Sequence, residues 1–245
     1  MTDIFNHSGA PFMVESLEEG PDPMEGRTFD RPTVGFLGVQ PQHVKAMEGI
    51  AQKFQGILED LRDGFGLDID DENFRETPAR VAKMWVLERC VGINSEEACM
   101  QILGKDFPAM DSKDSKIGDQ LIITTNPAIV YSLCPHHFEN VTYDVWSGYI
   151  PKSKFIGISK FSRVAELYGR QPILQESYTS GLANILMKAL DPLGVIVVVK
   201  GRHNCLRSRG AKANPNQSMV TSALRGIFVD EPTYKEEFFK LSSLD

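Results

Sequence analysis

The chain has 245 residues, 42% hydrophobic and 24% charged, enough for a sizeable core in one generous domain or a domain with an extension. Four irregularly spaced cysteines, Cys90, Cys99, Cys134 and Cys205, argue against a disulfide scaffold, and no apolar run approaches the ~18 residues of a membrane span. A net charge of −7 argues against a general nucleic-acid binder, so the expectation is a cytoplasmic protein with neither membrane nor nucleic acid as partner.

Residues 1–40 carry seven acids against Arg27 and Arg31, −5 of the total −7, with four prolines and no sustained period. Such a segment cannot offset its own ordering entropy, and an acidic, disordered tail is predicted, either a solvated leader or a partner-binding arm. From Pro41 the apolar residues Val44, Met47, Ile50, Ala51, Phe54, Ile57, Leu58 and Leu61 recur at three- and four-residue steps, which predicts one amphipathic helix. Thr77-Pro78 reads as an N-cap and first turn, followed by Val81, Met84, Trp85 and Leu87 at helical spacing. Arg80 and Lys83 then share a face.

Beyond residue 115 the period moves towards two. Strands are predicted at Leu121–Ile123, Ile129–Tyr131 and Val141–Tyr149, with a hairpin turn near Cys134–Asn140. Helical spacing returns at Val164, Leu167 and Tyr168 and again at Leu182, Ile185, Leu186 and Leu190, with Pro172 between. Val195–Val199 reads as a buried strand and Met219–Phe228 as its antiparallel partner. The order strand, strand, helix, helix, strand, strand defines an α+β fold, one antiparallel β-sheet with two covering helices. The chain thus divides into a tail (1–40), an N-terminal helical region (41–115) and an α+β domain (116–245).

Three of the five histidines and two of the four cysteines fall in Cys134-Pro135-His136-His137 and His203-Asn204-Cys205. Cys134 and His137 have the gap of a chelating pair and Cys205 offers a third soft ligand, a set suited to zinc. Three protein ligands leave the open position of a catalytic metal, whereas His136 or His203 as a fourth would close a structural site. A dense cationic run, Lys200, Arg202, Arg207, Arg209 and Lys212, has no acid within it. Either it is a solvated strand end or it holds a phosphate-bearing ligand beside Cys205. Lys160 and Arg163 follow Ser159 at a helix start that also favours an anion. Taken alone, Glu176 is an ordinary first-turn acid.

Tyr131-Ser-Leu-Cys134-Pro-His-His137, Tyr149-Ile-Pro151, Ile156-Gly-Ile-Ser-Lys160, Arg163-Val164, Leu174-Gln-Glu176, His203-Asn-Cys205, Arg209-Gly210 and Thr221-Ser-Ala223 resemble the zinc-dependent GTP cyclohydrolase I family in order and spacing. Glu76-Thr-Pro-Ala-Arg-Val-Ala-Lys-Met84 adds the upstream helix, so the resemblance runs from about residue 42 to the carboxyl end. It implies that Cys134, His137 and Cys205 are the ligands of a Zn2+ ion, with His136 and His203 free beside it to move protons. It implies GTP as substrate, with hydrolytic attack at C8, loss of formate and formation of 7,8-dihydroneopterin triphosphate. Glu176 would recognise guanine, Ser159 and Gln175 would lie near the ribose, and Lys83, Lys160, Arg163 and Arg209 would hold the triphosphate, with Arg80 and Arg207 as weaker candidates. The implied architecture is the tunnelling fold, in which the 116–245 domain is catalytic and carries an N-terminal helical extension. The implied assembly is a ring-forming homo-oligomer, a decamer with sites between subunits.

The chain departs from the family at Pro135, where a Glu is usual, at Arg170-Gln171-Pro172, and at Thr142-Tyr143-Asp144, read as replacing a Gly-Lys-containing hairpin turn. No zinc ligand or phosphate cation is lost. The competing readings are a paralogue acting on another purine nucleotide and a non-catalytic, zinc-stabilised assembly protein. The spare imidazoles His136 and His203 count against the second.

Overall fold

A computed structural model describes residues 39–104, 120–124, 126–214 and 216–243, together with the short strands Ile4–Phe5, Pro11–Phe12 and Asp106–Pro108. The predicted disorder of residues 1–40 otherwise lies outside the described residues. By compactness the chain separates into two units, Met1–Glu88 and Arg89–Asp245, a division that falls within the 41–115 segment.

In the first unit, α1 (Pro41–Phe65) is the amphipathic helix expected from the apolar spacing. It ends at Gly66, whose left-handed φ of 72° lets its N–H reach the Arg62 carbonyl at 2.8 Å. The second helix, α2 (Thr77–Lys83), is capped one residue earlier than its sequence suggests. Glu76 is the N-cap, while the Thr77 hydroxyl donates backward to the Asn73 carbonyl at 3.3 Å, so Pro78 still occupies the first turn. Past Lys83 the helix widens into a π-helical stretch, Met84–Arg89. Met47 and Ala51 of α1 pack against Ala82, Val86 and Leu87, the buried face that the three- and four-residue spacing anticipated.

The second unit is built on an antiparallel sheet of β2 (Ile122–Ile123), β3 (Ala128–Leu133), β4 (Asn140–Ile150), β6 (Gly194–His203) and β7 (Met219–Gly226). The long strand β4 is central: β2 and β3 pair along one side of it, β6 along the other, and β7 follows β6. A separate ribbon pairs β1 (Asp106–Pro108) with β5 (Lys154–Ile156). Ahead of the sheet stands α3 (Glu96–Leu103).

Two helices, α4 (Ser159–Gly169) and α5 (Gln175–Leu190), cover one face of the sheet. There Tyr143 of β4 stacks on Tyr178 of α5 at 5.1 Å, and Tyr178 on Tyr168 of α4 at 5.8 Å. The opposite face has a covering that the sequence reading did not assign. After β7 the chain turns into α6 (Ile227–Asp230) and α7 (Pro232–Ser242), where Ile227-Phe228 had been expected to extend the strand. Phe228 and Phe238 from these helices join Trp146, Ile150, Ile196 and Val198 in a second core layer. Gly148 permits that approach, since a Cβ there would lie 2.9 Å from Phe238 Cδ2.

Thr142-Tyr143-Asp144 is not a hairpin turn. These residues lie within β4, paired with Arg202, Gly201 and Lys200, and the connecting loop is Cys134–Glu139. Arg202 consequently leaves the expected cationic run: it alternates to the face away from His203 and grips Asp144 with both guanidinium ends, the Nη2–Oδ1 arm at 2.9 Å.

Candidate metal centre and nearby cleft

The loop between β3 and β4 is closed by two backbone bonds, Cys134 N–H to Glu139 O and Phe138 N–H to Cys134 O, both 2.9 Å. Pro135 sits early in this turn, and Phe138 takes a left-handed φ of 53°, which reverses the chain just after His137. Across β4, strand β6 ends at His203 and passes into one helical turn, Asn204–Arg207, which carries Cys205. Register places Val141 opposite His203, so the hairpin loop and the end of β6 meet at one corner of the sheet.

At that corner the ligand atoms of Cys134, His137 and Cys205 all lie within 4.8 Å of one another, the group of the described residues suited to a metal ion. Two thiolates on a tetrahedral zinc stand roughly 3.8 Å apart for Zn–S bonds of about 2.3 Å, so the set closes on an ion with small adjustments. Both cysteines are buried and free, while His137 is exposed. Burial and the adjacent Cys134 thiol push the Cys205 thiol up to about 11. A divalent cation reverses that preference, because the coordinated form is the thiolate.

The remaining imidazoles flank the group. His136 Nδ1 lies 3.6 Å from Cys134 Sγ, and an Arg209 Nη2 lies 3.4 Å from His137 Nδ1. His203 is half-buried, and burial lowers its pKa below the usual imidazole value, Glu176 offsetting part of the shift. Its Nε2 is 2.9 Å from Gln175 Oε1. His203 is not among the three residues whose ligand atoms cluster.

Gln175 and Glu176 open α5 and face different surroundings. Gln175 is 1% exposed, whereas Glu176 is exposed and lines a cleft of about 640 Å³ with Thr179, Thr221, Arg225 and Lys235. Thr179 and Thr221 belong to both places, since they form one wall of the cleft and also contact Gln175. Sequence reading included Thr221 only within a motif and missed Thr179. Thr179 stands four residues after Gln175 on α5, whereas Thr221 reaches it from β7, a contact that no local spacing reveals.

Ser159, Lys160 and Arg163 lie on the first turns of α4. Lys83 ends α2 in the other compact unit. Arg207 donates to the Gln217 carbonyl at 3.1 Å, and Arg80 pairs with Glu76 at 2.7 Å.

Two buried thiols and an imidazole close enough to share a metal ion, with His136 beside Cys134, form a candidate metal site on an α+β fold. Residues 50–243 match the family model described as GTP cyclohydrolase I. A protein of Hydrogenobaculum named GTP cyclohydrolase 1 is 36% identical over 80% of this chain and 96% of its own length. One of the same name from Aquifex aeolicus is 34% identical over 73% of this chain and 89% of its own. Among solved structures, the apo archaeosine synthase QueF-Like aligns with a TM-score of 0.36 at 21% identity, over 46% of this chain and 96% of that one. The chain belongs to the GTP cyclohydrolase I family.

Proposed function

We propose that this chain is a zinc-dependent GTP cyclohydrolase I, a hydrolase that opens the guanine imidazole ring at C8, releases formate and forms 7,8-dihydroneopterin triphosphate, a precursor in pterin and tetrahydrofolate biosynthesis. Two waters enter, one at ring opening and one at formate release. One leaves when the rearranged ribose carbonyl condenses with the amine set free on the base. The observation that carries the reading is the open Cys134, His137 and Cys205 group with His136 and His203 beside it.

Cys134, His137 and Cys205 would hold a zinc ion, which would supply Lewis acidity to the hydrolysis. His136 and His203 move the protons that ring opening and formate release require. Glu176, exposed in the cleft, accepts hydrogen bonds from the N–H edge of guanine, a contact that purines lacking those donors forfeit. Ser159 orients the ribose. Lys83, Lys160, Arg163 and Arg209 hold the triphosphate, with Arg209 already against the metal group.

The proposed assembly is a ring of identical subunits, a decamer. Support comes from the two sheet edges. Ile129 and Tyr131 on β3 and Val220 on β7 are large, apolar and 49%, 46% and 61% exposed. Pairing unlike edges, head to tail, closes a ring when the rotation permits. No helix among the described residues is long and apolar enough to cross a membrane. The cytoplasm is the proposed compartment.

The deciding experiment incubates zinc-loaded protein with GTP, oxidises the products and assays pterin fluorescence and formate. Both should appear in equal amounts. Neither appearing overturns the reading, and turnover of a different purine nucleotide alone would identify a paralogue.

A further inference from the structure

The family resemblance assigns Gln175 to the ribose, but its side chain is committed elsewhere. Its Nε2 lies 3.1 Å from the Val199 carbonyl, 3.0 Å from the Met219 carbonyl and 3.1 Å from Thr221 Oγ1. Carbonyl oxygens only accept, so the NH2 end of the amide must face them and Oε1 must face His203. The hydroxyls follow the same logic. Thr179 donates to the Gln175 main-chain carbonyl at 2.7 Å, so across the 2.6 Å contact between the two threonines Thr221 is the donor and Thr179 the acceptor. The two N–H groups of Gln175 Nε2 are shared among three acceptors, the Val199 and Met219 carbonyls and Thr221 Oγ1. Gln175, Thr221 and Thr179 thus form one connected hydrogen-bond network.

The consequence falls on His203. Gln175 Oε1 carries no hydrogen, so the His203 Nε2 that lies 2.9 Å away must. A neutral imidazole has one N–H, and Nδ1 therefore keeps the lone pair. Gly201, two residues before His203 on the same face, makes room for the bond: a Cβ there would stand 2.0 Å from Gln175 Oε1 and 3.2 Å from His203 Nε2.

We propose that Gln175 is a positioning residue that holds His203 in its Nε2–H tautomer and presents Nδ1 as the proton acceptor, with Thr221, Thr179 and the bare backbone of Gly201 holding Gln175 in turn. The inference rests on the proposed cyclohydrolase reading, in which His203 moves protons.

The test is a double-mutant cycle under the formate and pterin assay. Gln175→Met lowers kcat about 10²-fold, the scale of a mis-set general base, with KM for GTP within about twofold and zinc content unchanged. In a His203→Ala background the same substitution has no further effect. Thr221→Val, which keeps the shape and removes the hydroxyl, shows the same kcat defect, and Thr221→Ser restores the rate. Multiplying losses in the cycle, or a raised KM at unchanged kcat, would instead make Gln175 a substrate contact and overturn the proposal. Solid-state 15N NMR of the histidine-labelled wild-type protein, with His203 assigned by difference against His203→Asn, supplies a readout that needs neither a Gln175 variant nor turnover. An Nε2–H signal is expected, and an Nδ1–H signal overturns the tautomer. A wild-type protein that makes no pterin refutes the cyclohydrolase reading while the NMR result still decides this one.

Discussion

At the scale of single residues the metal group makes the sharpest demands. In the proposed zinc site Cys205 would join the end of β6 to the hairpin loop, and replacing its thiolate would remove the soft ligand that links them. Cys205→Ser should therefore emerge with less than stoichiometric zinc by metal analysis and lose activity in proportion. Because the free thiol keeps its proton up to about 11, zinc uptake must displace that proton. Affinity measured against a competing chelator should rise about tenfold per pH unit through the neutral range for each proton released. His203 adds a boundary of the same sign, on the stability of the metal-free fold. Burial holds its folded pKa below the ordinary 6.5, so the unfolded chain binds the proton more readily. The stability this provides is complete above the ordinary value and is lost as pH falls below it towards the folded value. Thermal melts of metal-free protein should show that loss, and His203→Asn should flatten it. Arg209→Ala should raise KM for GTP and leave guanosine much less affected, since only the nucleotide has phosphates for the guanidinium to hold.

At the scale of elements, what could be read in advance follows sequence distance. The helix from Pro41, the loop carrying Cys134 and His137, and the buried run Val195–Val199 rest on spacings of a few residues, and each appears where its period placed it. Features that needed strand register were out of reach. Nothing local pairs Arg202 with Asp144, 58 residues away, or brings Gln175 under Met219, 44 away. Thr142-Tyr143-Asp144, read as a turn only through the family resemblance, sits in the strand that the alternation from Val141 to Tyr149 predicts. The C-terminal helix α7 is the clearest addition, since the apolar residues around Phe228 and Phe238 suggest no particular sheet face to cover. Phe238 is fully buried against that face, so Phe238→Ala should cost about 3–5 kcal/mol by denaturant melts. Gly148→Ala, which crowds the same ring, should cost about 1–3 kcal/mol.

On the scale of the whole molecule, the two unlike sheet edges are where assembly would be written. Val220→Lys puts a charge on the exposed edge of β7 and, if the proposed ring forms, should shift the species seen by light scattering to smaller forms, with activity falling alongside. The Arg202 and Asp144 pair bears on the whole fold in another way. Along β6 the residues alternate between faces: Val199, Gly201 and His203 look towards the helices, Lys200 and Arg202 away. A slip of one position between β4 and β6 would exchange the two sets, sending an imidazole to the back of the sheet and a guanidinium into the metal corner. The slipped sheet would bury nearly as much Val and Ile, because β6 is apolar on both faces from Val195 to Val199, so packing discriminates poorly against it. The two-pronged grip of Arg202 on Asp144 exists in one alignment only. The salt bridge therefore favours the one register in which a strand apolar on both faces carries its imidazole on the helix side, and Arg202→Met should lower the yield of correctly paired protein on refolding, read as recovered zinc binding.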